Sequence, residues 1–250
     1  MPNRFEEMGY WEIITRQMSI VSKNKQKIFK DSKIAVIGCG GIGGAVIEML
    51  ARMGVGELNI VDCDVFDMSN LNRQIMSSLD KLNKPKSEVT KEKINSINPY
   101  VKVNAFNEEV SDKNVEKIAK DCDVIIDALD NILSRIIISR YAKEKKIPFI
   151  HGAIHGTMGQ LSVFTEDTIS YEELFSISSF NKKLTNDVKK EISEISEEIP
   201  PVIGPVPNII GCLQAMECFK LITGIGQITF APKIFKFDLL YFDSFNVELI

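Results

Sequence analysis

The chain has 250 residues, 44% of them apolar and 26% charged, with a formal net charge of −4. That balance fits a globular protein with a sizeable core, arranged as one large domain or one and a half. It excludes the basic face of a nucleic-acid or anionic-membrane binder, and the longest uncharged apolar stretch, 34–47, is too short and glycine-rich to span a bilayer.

In chain order, residues 1–30 are expected to be helical, with an apolar stripe at positions 10, 11, 14, 18 and 21. Residues 33–38 form an apolar, β-branched run that predicts a buried parallel strand, and 45–53 predict the helix after it. Further strands are expected at 57–61, 101–106, 123–128 and 148–151, and helices at 84–98, 112–120 and 131–145. Pro85 suits the first turn of the helix at 84–98, and Asn98-Pro99 stops it. Alternation of strand and helix over 31–150 predicts a Rossmann-like, doubly wound parallel sheet. The pattern then changes over 151–250. A strand at 160–165 has no crossover helix, and 176–200 is polar enough to predict a mobile loop or a lid. An apolar helix at 209–223 closes at Gly224, and 233–238 and 245–250 predict two antiparallel C-terminal strands. The N-terminus carries Arg4, Glu6 and Glu7 and lacks a signal-peptide core, so the expected location is cytoplasmic.

Between the first strand and its helix, Gly38, Gly40 and Gly43 fit G-x-G-x-x-G, with Gly41 as an extra. Such glycines permit the tight turn, backbone approach to a ligand and close helix–strand packing. Asp62 ends the second strand, about 20 residues on, where an acid accepts hydrogen bonds from ribose. Asp64, Asn70, Arg73, Gln74, Lys86, Asp130 and Asn131 all fall on the same rim, the carboxyl ends of the parallel strands, where ligands bind in such sheets. Attack of a carboxylate on ATP needs cations and a metal ion at the phosphates rather than covalent side-chain chemistry. Arg73 and Lys86 supply cations, and Asp130 is a carboxylate suited to Mg²⁺. A dinucleotide dehydrogenase would not need Arg73, Lys86 and Asp130 on one rim, so an NAD-dependent oxidoreductase ranks last, behind a non-catalytic ATP-binding protein.

GCGGIGG at 38–44, VDCDVFDMSNLNRQ at 61–74, NKPKSE at 83–88, DVIIDALDN at 123–131 and IIGCLQAMECFKLITG at 209–224 resemble the ubiquitin-activating-like adenylyltransferases of the MoeB/ThiF/HesA group. The resemblance implies that Gly41, Asp62, Asn70, Arg73, Lys86 and Asp130 bind Mg-ATP. It also implies that Arg16, in an N-terminal R-Q helix, reaches into the partner's site, which makes a homodimer the catalytic unit. The implied reaction is attack of a carboxylate on ATP to give an acyl-adenylate. Sulfur-carrier-activating members typically have two C-x-x-C pairs for structural zinc and often a cysteine in the loop before the last helix. Cys39, Cys63, Cys122, Cys212 and Cys218 form no C-x-x-C pair, and 176–208 contains no cysteine. The expectation is therefore no zinc and no thiolate chemistry. That pattern resembles the HcgE-like branch, which adenylates the carboxyl of a guanylylpyridinol during iron-guanylylpyridinol cofactor synthesis. The alternative acceptor is the C-terminal glycine of a ubiquitin-like sulfur carrier.

Each residue also has a plainer reading. Asp62 could merely end its strand, Arg73 and Lys86 could be surface charges, and Asp64 a solvated acid. Asp130 could cap the helix that follows it. Arg16 could simply pack at an interface. His151 and His155, the two histidines, flank Gly152-Ala153-Ile154 beyond a strand end, near the expected acceptor pocket, and are substrate candidates.

Overall fold

The structure is a computed structural model that describes residues 7–195 and 201–249. Eight strands form a single sheet in the order β3-β2-β1-β4-β5-β6-β7-β8. Strands β1 (Lys33–Ile37), β2 (Glu57–Val61), β3 (Lys102–Phe106), β4 (Val124–Asp127) and β5 (Phe149–His155) run parallel. Strands β6 (Met158–Phe164), β7 (Lys233–Asp238) and β8 (Tyr241–Leu249) extend the sheet antiparallel. This is the predicted Rossmann-like fold with its antiparallel C-terminal extension. Strand order reverses between β1 and β4, which opens a crevice at their carboxyl ends.

Alternation along the strands sorts side chains to two cores. Ile34, Val36, Val124 and Ile126 face one layer, with α2 (Lys23–Lys30), α3 (Gly41–Arg52), α4 (Lys86–Ile97) and α9 (Pro205–Thr223). Ala35, Ile37 and Ile125 face the other, with α5 (Val115–Ala119), α6 (Ile132–Lys145), α7 (Tyr171–Leu174) and α8 (Asn186–Glu194). Among the described residues, no helix is long and apolar enough to cross a membrane.

Several expected boundaries move for local reasons. The N-terminal stripe is not one helix. The helix α1 (Glu7–Ile13) gives way to a 3₁₀ turn at Thr15–Gln17, where the Thr15 hydroxyl donates back to Trp11 O and the Gln17 amide turns to Gln26 and Met53 O. Pro85 stands at the N-cap of α4, so Lys86 is its first helical residue. Asn114 accepts the Ser111 N–H and delays α5 to Val115. Helix α9 starts at Pro205, because prolines lack only N–H groups that a first turn leaves unpaired. The expected mobile loop at 176–200 contains α8, capped by Thr185, and Arg140 donates to the carbonyls of Ser179 and Lys182 before it. Residues 196–200 lie outside the described residues. Strand β5 runs on to His155 rather than ending at His151, so His155 too lies within the strand.

Candidate nucleotide and acceptor site

The glycine loop is shaped by crowding from three elements. Gly38 follows β1 at φ +104°, and a Cβ there would sit 2.5 Å from the Ala128 carbonyl oxygen at the end of β4. A Cβ on Gly43, in the first turn of α3, would sit 1.9 Å from the Gly38 carbonyl oxygen. Only glycine lets β1, α3 and β4 converge so closely. Gly40 is the N-cap of α3 and supplies no side-chain cap. The first N–H groups of a twelve-residue helix therefore face the crevice mouth without a capping side chain, a favourable place for an anion. Next to it, Gly41 lies against α9, where an added Cβ would meet Pro207 at 3.0 Å and the Arg73 side chain at 3.7 Å.

Asp62 closes over the loop. Its Oδ2 accepts the Cys39 N–H at 2.7 Å and its Oδ1 accepts the Asp64 N–H at 2.9 Å. Each oxygen keeps a lone pair for a hydroxyl donor. Burial pushes its carboxyl above the ordinary range, partly offset by the Cys39 N–H and the charge of Lys86. Lys86 is itself buried, and its Nζ pairs with Asp64 Oδ2 at 2.9 Å. Asp64 is thus an ion-pair partner rather than an isolated solvated acid.

A 3₁₀ turn at Met68–Asn70 carries the next group. Asn70 Oδ1 accepts the Asp67 N–H in a reciprocal cap, and its carbonyl accepts the N–H groups of Arg73 and Gln74. Arg73 is half-buried, with Nη1 donating to Ser69 O and Asn72 Oδ1 at 2.9 and 2.8 Å. Gln74 is buried over Gly40, with its Oε1 unpartnered among the described residues. Asn208 of α9 donates to Arg73 O and Gly204 O, so the start of α9 seals this side. That contact between distant segments had no signal in the sequence.

Asp130 lies in the turn after β4, exposed, without a hydrogen-bond or ion-pair partner among the described residues. The cap of α6 is Asn131, whose Oδ1 accepts the Ser134 N–H at 2.8 Å, which removes the capping alternative for Asp130. Asp62, Cys63 and Asp64 have ligand atoms within 4.8 Å of one another, and Asp130 is not part of that cluster. Asp62, Asp64 and Asp130 each offer the carboxylate oxygen that Mg²⁺, a hard ion, prefers, whereas sulfur is a poor ligand for it. Burial and the neighbouring acids push the Cys63 thiol up, and burial does the same at Cys39 and Cys212, so none is a ready thiolate.

Arg16 sits exposed in the 3₁₀ turn at Thr15–Gln17 and makes none of these contacts within its own chain. His155 is exposed on β5. His151 is not open to an acceptor: it is 1% exposed, and its Nδ1 lies 2.7 Å from Asp127 Oδ2. Burial outweighs Asp127 and holds its pKa below the usual histidine value. The buried group of Asp127, Arg135 and His151 joins β4, α6 and β5 and has no signal in the local sequence. An open cavity of about 490 Å³ lies beside Asn72, lined by Gly156, Thr157 and Pro201, Val202, Ile203 and Gly204.

A doubly wound sheet with a glycine loop, an acid after β2 and cations on the same rim defines a Rossmann-like nucleotide-binding protein. Residues 14–249 match the ThiF family, and the chain belongs to that family. It is similar to a molybdopterin-synthase adenylyltransferase of Haemophilus influenzae, 32% identical over 225 residues that span 89% of this chain and 86% of the relative. A SAMP-activating enzyme E1 of Haloferax volcanii is 32% identical over 84% of this chain and 74% of its own length. Among solved structures, Escherichia coli MccB with ATP matches at a TM-score of 0.74 and 23% identity, over 90% of this chain and 64% of that one. The chain is an adenylyltransferase.

Proposed function

We propose that this enzyme activates a carboxylate as an acyl-adenylate, with ATP as the adenylyl donor and pyrophosphate as the leaving group. The observation that carries the reading is Asp62, held by the Cys39 and Asp64 N–H groups beside the uncapped start of α3 and the buried Lys86. Asp62 accepts from ribose, Gly38, Gly40, Gly41 and Gly43 let the backbone approach the phosphates, and Asn70, Gln74 and Asn131 complete the pocket. Lys86 and Arg73 offset phosphate charge, so a second anion can approach the α-phosphorus. Asp130 is the residue that would hold Mg²⁺ brought with ATP, and the ion would supply positive charge against the leaving pyrophosphate. In a cytoplasmic homodimer, Arg16 supplies a further cation to the neighbouring site.

The acceptor in this reading is the C-terminal carboxylate of a ubiquitin-like carrier. The relatives named for molybdopterin synthase and for SAMP activation support it over the guanylylpyridinol expected from the cysteine pattern. The cavity beside Asn72 supports it too, because its small, uncharged lining suits a narrow polypeptide tail. The small-molecule carboxylate remains the second reading, favoured by the absence of any cysteine in 176–208.

Exchange of labelled pyrophosphate into ATP tests both. A carrier ending in Gly-Gly is expected to support exchange and free guanylylpyridinol is not. Asp130→Ala is expected to lower the rate by about 100-fold or more, the scale of one lost electrostatic contact to a transition state. Exchange that survives intact in Asp130→Ala would remove the metal assignment.

A further inference from the structure

Beneath the crevice lies a charged cluster that the proposed reaction does not use. Asp127, the last residue of β4, is fully buried. Its Oδ2 accepts from Arg135 Nε at 2.6 Å and lies 2.7 Å from His151 Nδ1, while its Oδ1 accepts the Leu129 N–H at 3.0 Å. Its backbone carbonyl accepts from Gln214 of α9 at 2.7 Å. Arg135, also buried, donates a second time to Leu129 O. Burial pushes the Asp127 carboxyl up, but Arg135 and His151 outweigh it and hold it below the usual range. An ionised carboxylate only accepts, so His151 carries its proton on Nδ1 and leaves Nε2 to Gln160 of β6, 3.4 Å away.

Burying such a group is costly, and a buried ion pair is often replaced by apolar residues of similar volume with no loss of stability. Its arrangement accounts for its presence. Asp127, Leu129, Asn131 and Arg135 are each tied down, while Asp130, at the centre of the same turn, is left exposed and unpartnered among the described residues. We infer that Asp127, Arg135 and His151 are positioning residues, a buried clamp that presents the Asp130 carboxylate to the nucleotide-bound cation. This rests on the reading of Asp130 as the residue that holds Mg²⁺.

The test is ATP binding by calorimetry, with and without Mg²⁺, so that the readout is the tightening caused by the metal rather than turnover. In His151→Phe, where the ring still packs on Tyr171 and Phe175, ATP alone is expected to bind as in the parent. The tightening by Mg²⁺ is expected to fall by about tenfold, the usual scale for removing a partner that orients a metal ligand. His151→Asn, which keeps an N–H donor near the position of Nδ1, is expected to restore most of it. Arg135→Lys keeps the charge but loses the planar fork whose Nε and Nη2 hold Asp127 and Leu129 O together, and it is read in the same way if His151→Phe does not fold. Unchanged tightening in these variants, with loss in Asp130→Ala, would overturn the clamp alone. Equal weakening with and without metal would reduce the cluster to packing and overturn it too. Unchanged tightening in Asp130→Ala would overturn the reading of Asp130 and the clamp with it.

Discussion

Gly43 shows how strictly one position can be set by its neighbours. Its missing Cβ leaves room for the Gly38 carbonyl oxygen, which a methyl group would approach to 1.9 Å. The obstacle is backbone on both sides, so no rotamer relieves it. Gly43→Ala is expected to cost about 3 kcal/mol, the upper end of overpacking penalties, visible as a lower denaturant midpoint with unchanged slope. ATP binding should fall as well, since the same shift moves the start of α3. Gly38, Gly43 and Asp62 were legible in the sequence because the glycine spacing and the distance to the acid reflect one local unit, strand–turn–helix–strand. The cap at Asn131 was misread by one residue: Asp and Asn both cap helices, and only the bond to the Ser134 N–H separates them.

At the scale of elements, β5 and the turn from β4 to α6 act together. His151 faces Asp127 from β4, Arg135 from α6, Tyr171 from α7 and Gln160 from β6. Burial keeps its ring neutral in the fold below the pH at which the unfolded chain, with the ordinary histidine value of 6.5, takes up a proton. The unfolded state then binds more protons, so stability falls as pH drops below 6.5, with a slope of at most about 1.4 kcal/mol per pH unit for one proton. The depressed Asp127 carboxyl contributes in the same sense but lower, its stabilisation being lost as pH falls below 3.8. His151→Asn is expected to lack the upper part of this acid slope in urea unfolding between pH 7 and pH 5. An unchanged slope would show that another group carries it. The apolar pattern puts the strand end at His151, just before Gly152. The pairing of His151 with Ser162 and His155 with Met158 continues the strand through it.

For the whole molecule, the sheet gathers residues from 38 to 131 onto one rim and leaves Arg16 on the outer surface. If Arg16 serves a neighbouring site, Arg16→Ala and Asp130→Ala subunits should complement each other. Mixed dimers then contain one site with an intact Asp130 that faces an intact Arg16. An equimolar mixture is expected to recover about one quarter of parental pyrophosphate exchange by random pairing, with each parent variant near background. Verified mixed dimers without recovery would place Arg16 in a structural role.

The sequence by itself determined the sheet, the glycine turn and the family, because those depend on patterns within short segments: continuous β-branched apolar runs, helix ends and a fixed step from glycines to acid. It also carried the candidate residues 62–86 as one motif, since a β-strand, a short turn and a helix start bring them together without help from elsewhere. Only the tertiary structure decided that Asp127, Arg135 and His151 share a buried site, that Asn208 and Pro207 close over Arg73 and Gly41, and that 176–195 is anchored to Arg140. Those contacts join segments as far apart in the chain as Gly41 and Pro207. Whether a charge at such a position is solvated or buried depends on which distant element folds over it, and no local pattern records that.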